Sequence, residues 1–136
     1  MRMFKKFSVI FLVILTFTGF GIVSAAEVST DKMILEWNTS KIWLNNGDLC
    51  MMGDFKNRRS DLTVTKLNSF TARIIFTKED GSKYEFIGAP VKIPLCKVAP
   101  NGTKRMSFNL GKFAGDWKSW VTDQNYTFTY INGSRW

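Results

Sequence analysis

The sequence predicts an all-β domain, an antiparallel β-sandwich closed by one disulfide and preceded by a cleaved signal peptide. Three observations carry this reading. Apolar and polar residues alternate at period two over several short stretches, the pattern of strands that bury one face. Turn residues separate these stretches, and no long helical pattern interrupts them. Two cysteines, Cys50 and Cys96, follow an export-type N-terminus, where a disulfide is the expected state.

The clearest element is a hairpin over residues 70–88. Phe70, Ala72, Ile74 and Phe76 alternate with Thr71, Arg73, Ile75 and Thr77, and the alternation resumes at Tyr84 and Phe86. A three-residue loop of Glu79, Asp80 and Gly81, with Gly81 in a left-handed bulge position, sets Phe76 opposite Tyr84 and Ile74 opposite Phe86. A strict two-residue turn would set Phe76 against Glu85 instead. The bulged register leaves one face wholly apolar, and that face needs a second layer.

The N-terminus changes the remaining counts. Arg2, Lys5 and Lys6 precede an apolar run over residues 7–17, and Val23-Ser24-Ala25-Ala26 places small residues at its exit. These are the three parts of a secretory signal peptide, so residues 1–26 are expected to be removed and residues 27–136 to form one domain. An uncleaved anchor is the alternative, although the apolar run is short for a span. Loss of three basic residues takes the formal charge from +8 to +5. A moderate positive field outside the membrane favours anionic surface polymers as partners. Nucleic acid is excluded as a partner because the chain is exported and its basic residues are scattered. The one cluster, Lys56-Asn57-Arg58-Arg59, reads as a solvated loop.

Along the mature chain, Met33, Leu35 and Trp37 suggest a first strand, and Ile42-Trp43-Leu44 a second run stopped by Asn45-Asn46-Gly47. Residues 49–55 form a strand around Cys50, in which Gly53 marks a bulge or a close backbone approach. Residues 57–61 read as a loop, and Leu62, Val64 and Leu67 lead into the hairpin. Pro90 and Pro94 make residues 89–94 an edge or a crossing segment. Pro100-Asn101-Gly102 is a turn, followed by a strand through Met106, Phe108 and Leu110 that residues 111–115 break. Residues 116–121 fit one helical turn capped by Asp116. Tyr126, Phe128 and Tyr130, alternating with threonines, make a last strand. Seven or eight short strands suit a sandwich, with a small β-barrel as the alternative architecture.

Three motifs carry a resemblance. Gly53-Asp54-Phe55-Lys56-Asn57, the Asp80-Gly81 hairpin, and Pro100-Asn101-Gly102-Thr103 before Met106-Ser107-Phe108 resemble the secreted immunoglobulin-like domains of bacteria, including the FxLYD-type family. Where that family carries its signature, this chain reads Ile74-Ile75-Phe76-Thr77-Lys78. The resemblance implies an immunoglobulin-like sandwich and a non-catalytic module. A Cys50–Cys96 bond would then tie the two sheets together, as in immunoglobulin domains.

Chemistry is thinly represented. Histidine is absent, which removes the Ser-His and Cys-His nucleophile pairs and the commonest zinc ligand. Asp48, Asp54, Asp61, Asp116 and Asp123 are the carboxylates available for a small hydrolase, which needs two of them facing across a cleft. Cys50-Met51-Met52 has sulfur for copper, but neighbours on a strand point to opposite faces. Asn45-Asn46-Gly47-Asp48 lacks the ordered acidic spacing of a calcium loop. No metal or cofactor is expected.

The aromatic residues carry the functional expectation. Trp117 and Trp120 come from a polar, glycine-flanked stretch, with Lys112 and Lys118 beside them. Exposed, they would be contact anchors for a protein or an anionic envelope polymer, or stacking rings for carbohydrate. Buried, they would cap an open end of the sandwich. The expected function is that of a secreted or envelope-associated binding or structural module without a chemical step. N-terminal sequencing of the exported protein should find Ala26 or Glu27 first. Recovery of an intact Met1 end in the membrane fraction would show an anchor instead.

Overall fold

The computed structural model describes residues 26–133; the leader expected over residues 1–26 lies, but for Ala26, outside the described residues. Seven strands follow in order: β1 (Glu27–Ser29), β2 (Leu35–Asn45), β3 (Asp48–Asn57), β4 (Leu62–Thr77), β5 (Lys83–Gly88), β6 (Thr103–Lys112) and β7 (Ser119–Asn132). They form a four-stranded sheet in the order β1-β7-β4-β5 and a three-stranded sheet in the order β2-β3-β6. Every strand pairing is antiparallel. The sheets pack face to face through aromatic side chains. Trp37 of β2 meets Phe70 of β4 edge-on at 5.2 Å, Phe70 stacks on Phe108 of β6 at 4.4 Å, and Phe55 of β3 meets Tyr126 of β7 at 5.1 Å.

The strand order differs from the one the resemblance implies. Immunoglobulin constant domains set the first strand beside the second, and the third beside the sixth. In this chain β1 lies beside β7, and the β2–β3 hairpin lies within the smaller sheet. The two-sheet, sandwich-like architecture stands, with a different order of strands.

The central hairpin has the bulged register. Phe76 pairs with Tyr84 and Ile74 with Phe86. Gly81 has φ +88°, and the Lys78 N–H donates to the Ser82 carbonyl at 2.8 Å. The Asp80 carboxylate accepts from the Ser82 N–H, which holds the loop closed.

Phase slips in the apolar pattern coincide with bulges. Leu35 and Trp37 face inward at odd positions and Ile42 at an even one, and the β2–β3 register shifts between Thr39 and Lys41. The two short runs expected there are therefore one strand, since a bulge resets which side chains point inward. In β4 the inward residues pass from Val64 to Leu67 to Phe70, and shifts lie between Val64 and Lys66 and between Leu67 and Ser69. Asn46 and Gly47, at φ 52° and 84°, close β2 onto β3 as a two-residue turn.

The helical turn expected over residues 116–121 is absent. Ser119, Trp120 and Val121 belong to β7 and pair with Thr77, Phe76 and Ile75, while the Lys118 N–H donates to the Thr77 carbonyl. Pairing offered by a neighbouring strand overrides a short local helical signal. Asn57, expected in a loop, is the last residue of β3 and fully buried. Its amide donates to the carbonyls of Leu62 and Ala99 at 2.9 and 3.1 Å, and its oxygen accepts from the Arg59 N–H.

The disulfide is corrected as well. Cys50 and Cys96 are both buried and both free. The Val98 carbonyl lies against the Asn57 amide, which places Cys96 near the Asn57 end of β3. Cys50 sits seven residues away on the same strand, roughly 23 Å along it. A disulfide needs its Cα atoms within about 7 Å. Burial pushes the Cys96 thiol up to about 11 and also raises that of Cys50, so both stay protonated. Thiol titration of the folded protein should find neither cysteine reactive. Unfolding in denaturant without reductant should release both. A crosslinked Cys50–Cys96 peptide would contradict this geometry.

Candidate functional site

Beyond the main core, the inner face of the hairpin carries a second aromatic group. Tyr84 stacks on Phe76 at 5.2 Å, the cross-strand partner that the register dictates. After β6 the chain folds back onto this pair. Phe113 stacks on Phe76 at 5.2 Å and meets Phe86 edge-on at 5.4 Å, and Trp117 lies against Phe76 at 4.7 Å. The Tyr84 hydroxyl donates to the Asp116 carbonyl at 2.7 Å. A Cβ on Gly115 would stand 2.9 Å from that hydroxyl, so glycine lets the loop approach. Burial raises the Tyr84 phenol's pKa, helped by the charge of Asp116, which keeps it a donor.

Between the hairpin tip and this loop lies an open recess of about 370 Å³. Lys78, Ser82, Lys83 and Tyr84 line one side, and residues 114–116 the other. The Lys78 ammonium stands 6.0 Å from the centre of the Tyr84 ring and 4.0 Å from the Asp116 carboxylate. The Lys83 ammonium donates to the Thr77 hydroxyl at 3.1 Å. The Lys78 ammonium thus faces the Asp116 carboxylate beside the Tyr84 ring, while Lys83 turns its ammonium toward Thr77 on the other face of the hairpin. The lysines give the rim of the recess a positive character, and the Tyr84 ring, stacked on Phe76, forms its aromatic wall.

The sequence-derived site residues divide. Trp117 and Trp120 are half-buried and packed against the core, and Trp120 is directly opposite Phe76 on the inward face. Both rings pack on the core with one side and keep part of their surface in solvent. Lys118 is exposed beside them. Lys112 lies elsewhere, its ammonium 3.3 Å from Asp48. Lys78, Lys83 and Phe113 were not singled out from the sequence. The signal for the two lysines was their position flanking the hairpin turn; nothing local showed that Phe113 would fold back. Trp43, from the second apolar run, is half-buried. It pairs with Cys50 on the outward face of the three-stranded sheet, with the Lys41 ammonium 4.9 Å from the ring centre.

The five candidate carboxylates do not converge. Asp48 meets Asn109 and Lys112, Asp54 is gripped by Arg105 through two bonds, and Asp61 pairs with Arg59. Asp116 faces Lys78 and Asp123 faces Lys32. Hydrogen bonds from Asn109, Arg105 and Arg59 respectively hold the Asp48, Asp54 and Asp61 carboxyls below their ordinary range. Each therefore stays ionised, the opposite of what a general acid needs. Among the described residues, no three of His, Cys, Asp and Glu gather closely enough to hold a metal ion.

No known protein family and no curated protein matches this chain. It is similar to a solved structure described as the "X-ray structure of Northeast Structural Genomics Consortium target SoR45". The identity is 13%, over 79% of this chain and 74% of that one, with a TM-score of 0.26. A likeness at that level carries no argument about fold or function.

The packing of Trp117 on Phe76 yields a stability prediction. Trp117→Ala should lower the unfolding free energy by roughly 2 kcal/mol, less than a fully buried tryptophan would cost. Trp117→Phe, which keeps a ring on Phe76, should lose less than half of that. Denaturant unfolding of the two variants checks the order. An unchanged midpoint for Trp117→Ala would mean that the ring is not packed.

Proposed function

We propose that this chain is an extracytoplasmic, non-catalytic binding module that uses the hairpin recess to hold an anionic group of a protein or an envelope polymer. One observation carries the reading: Lys78 and Lys83 flank an open recess whose aromatic floor is rigidly tied to the core. A preorganised floor reduces the ordering cost of binding, and the ammonium groups supply attraction and orientation. The net positive charge of the mature chain favours the same class of ligand. The dispersed, ion-paired carboxylates support a function without a chemical step. Export itself rests on the N-terminal pattern of basic, apolar and small residues.

A carbohydrate reading draws support from a different place than Trp117 and Trp120. The indole of Trp43 lies on the outward face of the three-stranded sheet, in register with Cys50. A half-exposed indole on an outward sheet face offers part of a ring for a sugar to lie against, beside the Lys41 ammonium.

The test is binding of wild-type, Lys78→Ala/Lys83→Ala and Trp43→Ala proteins to phosphate-rich and uronate polymers and to neutral glycans. The double lysine variant should lose about tenfold in affinity for the anionic polymers at low salt, and high salt should erase the difference. Its unfolding midpoint should stay close to that of wild type. Unchanged binding by the double variant would sink the recess. Loss confined to Trp43→Ala and neutral glycans would move the function to the sheet face.

A further inference from the structure

We propose that the side of the domain where β5 and β6 face each other is a contact surface for an anionic lipid membrane. Ile87, Val91 and Leu95 would enter the headgroup layer, with Lys92 and Lys104 beside them. This goes beyond the recess reading and does not depend on it.

The segment after β5 crosses from one sheet to the other and is pinned along its length. The Val91 N–H donates to the Asn109 carbonyl of β6 at 2.8 Å, which lays the segment on that strand's outer edge. Ile93 packs against the core, Cys96 is buried, and Val98 exchanges two backbone bonds with Val64. A Cβ on Gly88 would stand 3.5 Å from the Leu110 carbonyl, so the end of β5 also lies close to β6. Between these anchors, apolar side chains point away from the protein. Ile87 is 60% exposed, Val91 75% and Leu95 84%. Single exposed apolar residues are ordinary. Val91 and Leu95 lie on one crossing segment held by core contacts and hydrogen bonds, and Ile87 at the end of the strand before it adds a third exposed apolar side chain.

The chain along this edge is basic, with Glu85, on the same face of β5 as Ile87, paired with Arg73. From Phe86 to Gly115 the chain holds Lys92, Lys97, Lys104, Arg105 and Lys112 and no acidic residue. Arg105 and Lys112 are engaged by Asp54 and Asp48 across the sheet. Lys92 and Lys104 form no ion pair among the described residues. Projecting aliphatic side chains flanked by lysines satisfy the two requirements of interfacial membrane binding, apolar insertion and attraction to anionic headgroups. A protein partner fits less well. Protein interfaces are enriched in aromatic residues and arginine at their centres and depleted in lysine, the reverse of this strip.

Hydrogen exchange of the full chain tests this, because it reports on residues 89–98 whatever residues 1–25 do on the same vesicles. With vesicles of phosphatidylglycerol and phosphatidylcholine, exchange in that segment should slow about tenfold. Vesicles of phosphatidylcholine alone should leave it unchanged. Val91→Ser/Leu95→Ser should abolish the slowing while keeping the unfolding midpoint, since both side chains are already in water. Met33→Ser, an exposed apolar residue outside the strip, should not. Absence of slowing on the anionic vesicles would overturn the proposal, as would slowing that the double substitution leaves intact. Slowing without vesicles at raised protein concentration would also overturn it, assigning the strip to a second copy of the chain.

Discussion

The indole of Trp37 occupies the space over Gly53, and that contact sets much of what surrounds it. A Cβ at Gly53 would collide with the Asn38 carbonyl and stand 2.6 Å from the Trp37 ring. Glycine therefore lets the indole lie down against β3, where it reaches Phe55 at 4.8 Å, Phe70 at 5.2 Å and Phe108 at 5.5 Å. One side chain thus touches β3, β4 and β6 and joins the two sheets. The Tyr126 hydroxyl adds a polar tie between them, donating to the Leu35 carbonyl at 2.6 Å. Burial pushes its pKa up to about 12, so it remains a donor across the neutral range.

This core explains how the domain stands without a crosslink. A domain of this size buries enough apolar surface to fold on one core. The end of the sandwich opposite the hairpin tip is closed by Asn57. Its buried amide bridges the carbonyls of Leu62 and Ala99, the second of which also accepts from the Gly102 N–H. Leaving a buried acceptor without a donor costs about 1–3 kcal/mol. A polar side chain thus does at that end what a disulfide was expected to do, by joining β3, β4 and the crossing segment.

The hairpin continues the core outward, and this connects packing to function. Phe76 touches Tyr84, Phe113 and Trp117 at once, so the floor of the recess moves only if the core moves. The backbone that carries Lys78 and Lys83 is thereby held in place, while their ammonium groups remain at the exposed rim. The crossing segment is held in the same way, through Ile93, Cys96 and Val98, and it projects its apolar side chains from a fixed backbone. Both surfaces lie where the edges β5 and β6 come together, and both are built from short connections.

Local chemistry determined much of this structure by itself. The 70–88 hairpin, its register and its bulged turn follow from alternation and from one glycine, because cross-strand partners are set within a few residues of the turn. The Asn46-Gly47 turn and the close approach at Gly53 were legible for the same reason. Even the phase slips at residues 37–42 and 64–70 are present in the sequence, although a slip reads as a strand boundary until a partner strand shows it to be a bulge. Tertiary structure alone decided the rest. Residues 116–121 carry a local helical signal, and they are extended at their C-terminal end because β4 supplies hydrogen bonds there. Asn57 is polar and reads as exposed; its burial depends on carbonyls from two distant segments. The two cysteines lie 46 residues apart in sequence, but their separation in space is set by opposite ends of β3. Trp117 packs against the core only because Phe113 and the Tyr84 hydroxyl fold its loop back. Short-range periodicity and turn geometry are written in neighbouring residues, whereas which distant groups meet depends on how two sheets pack.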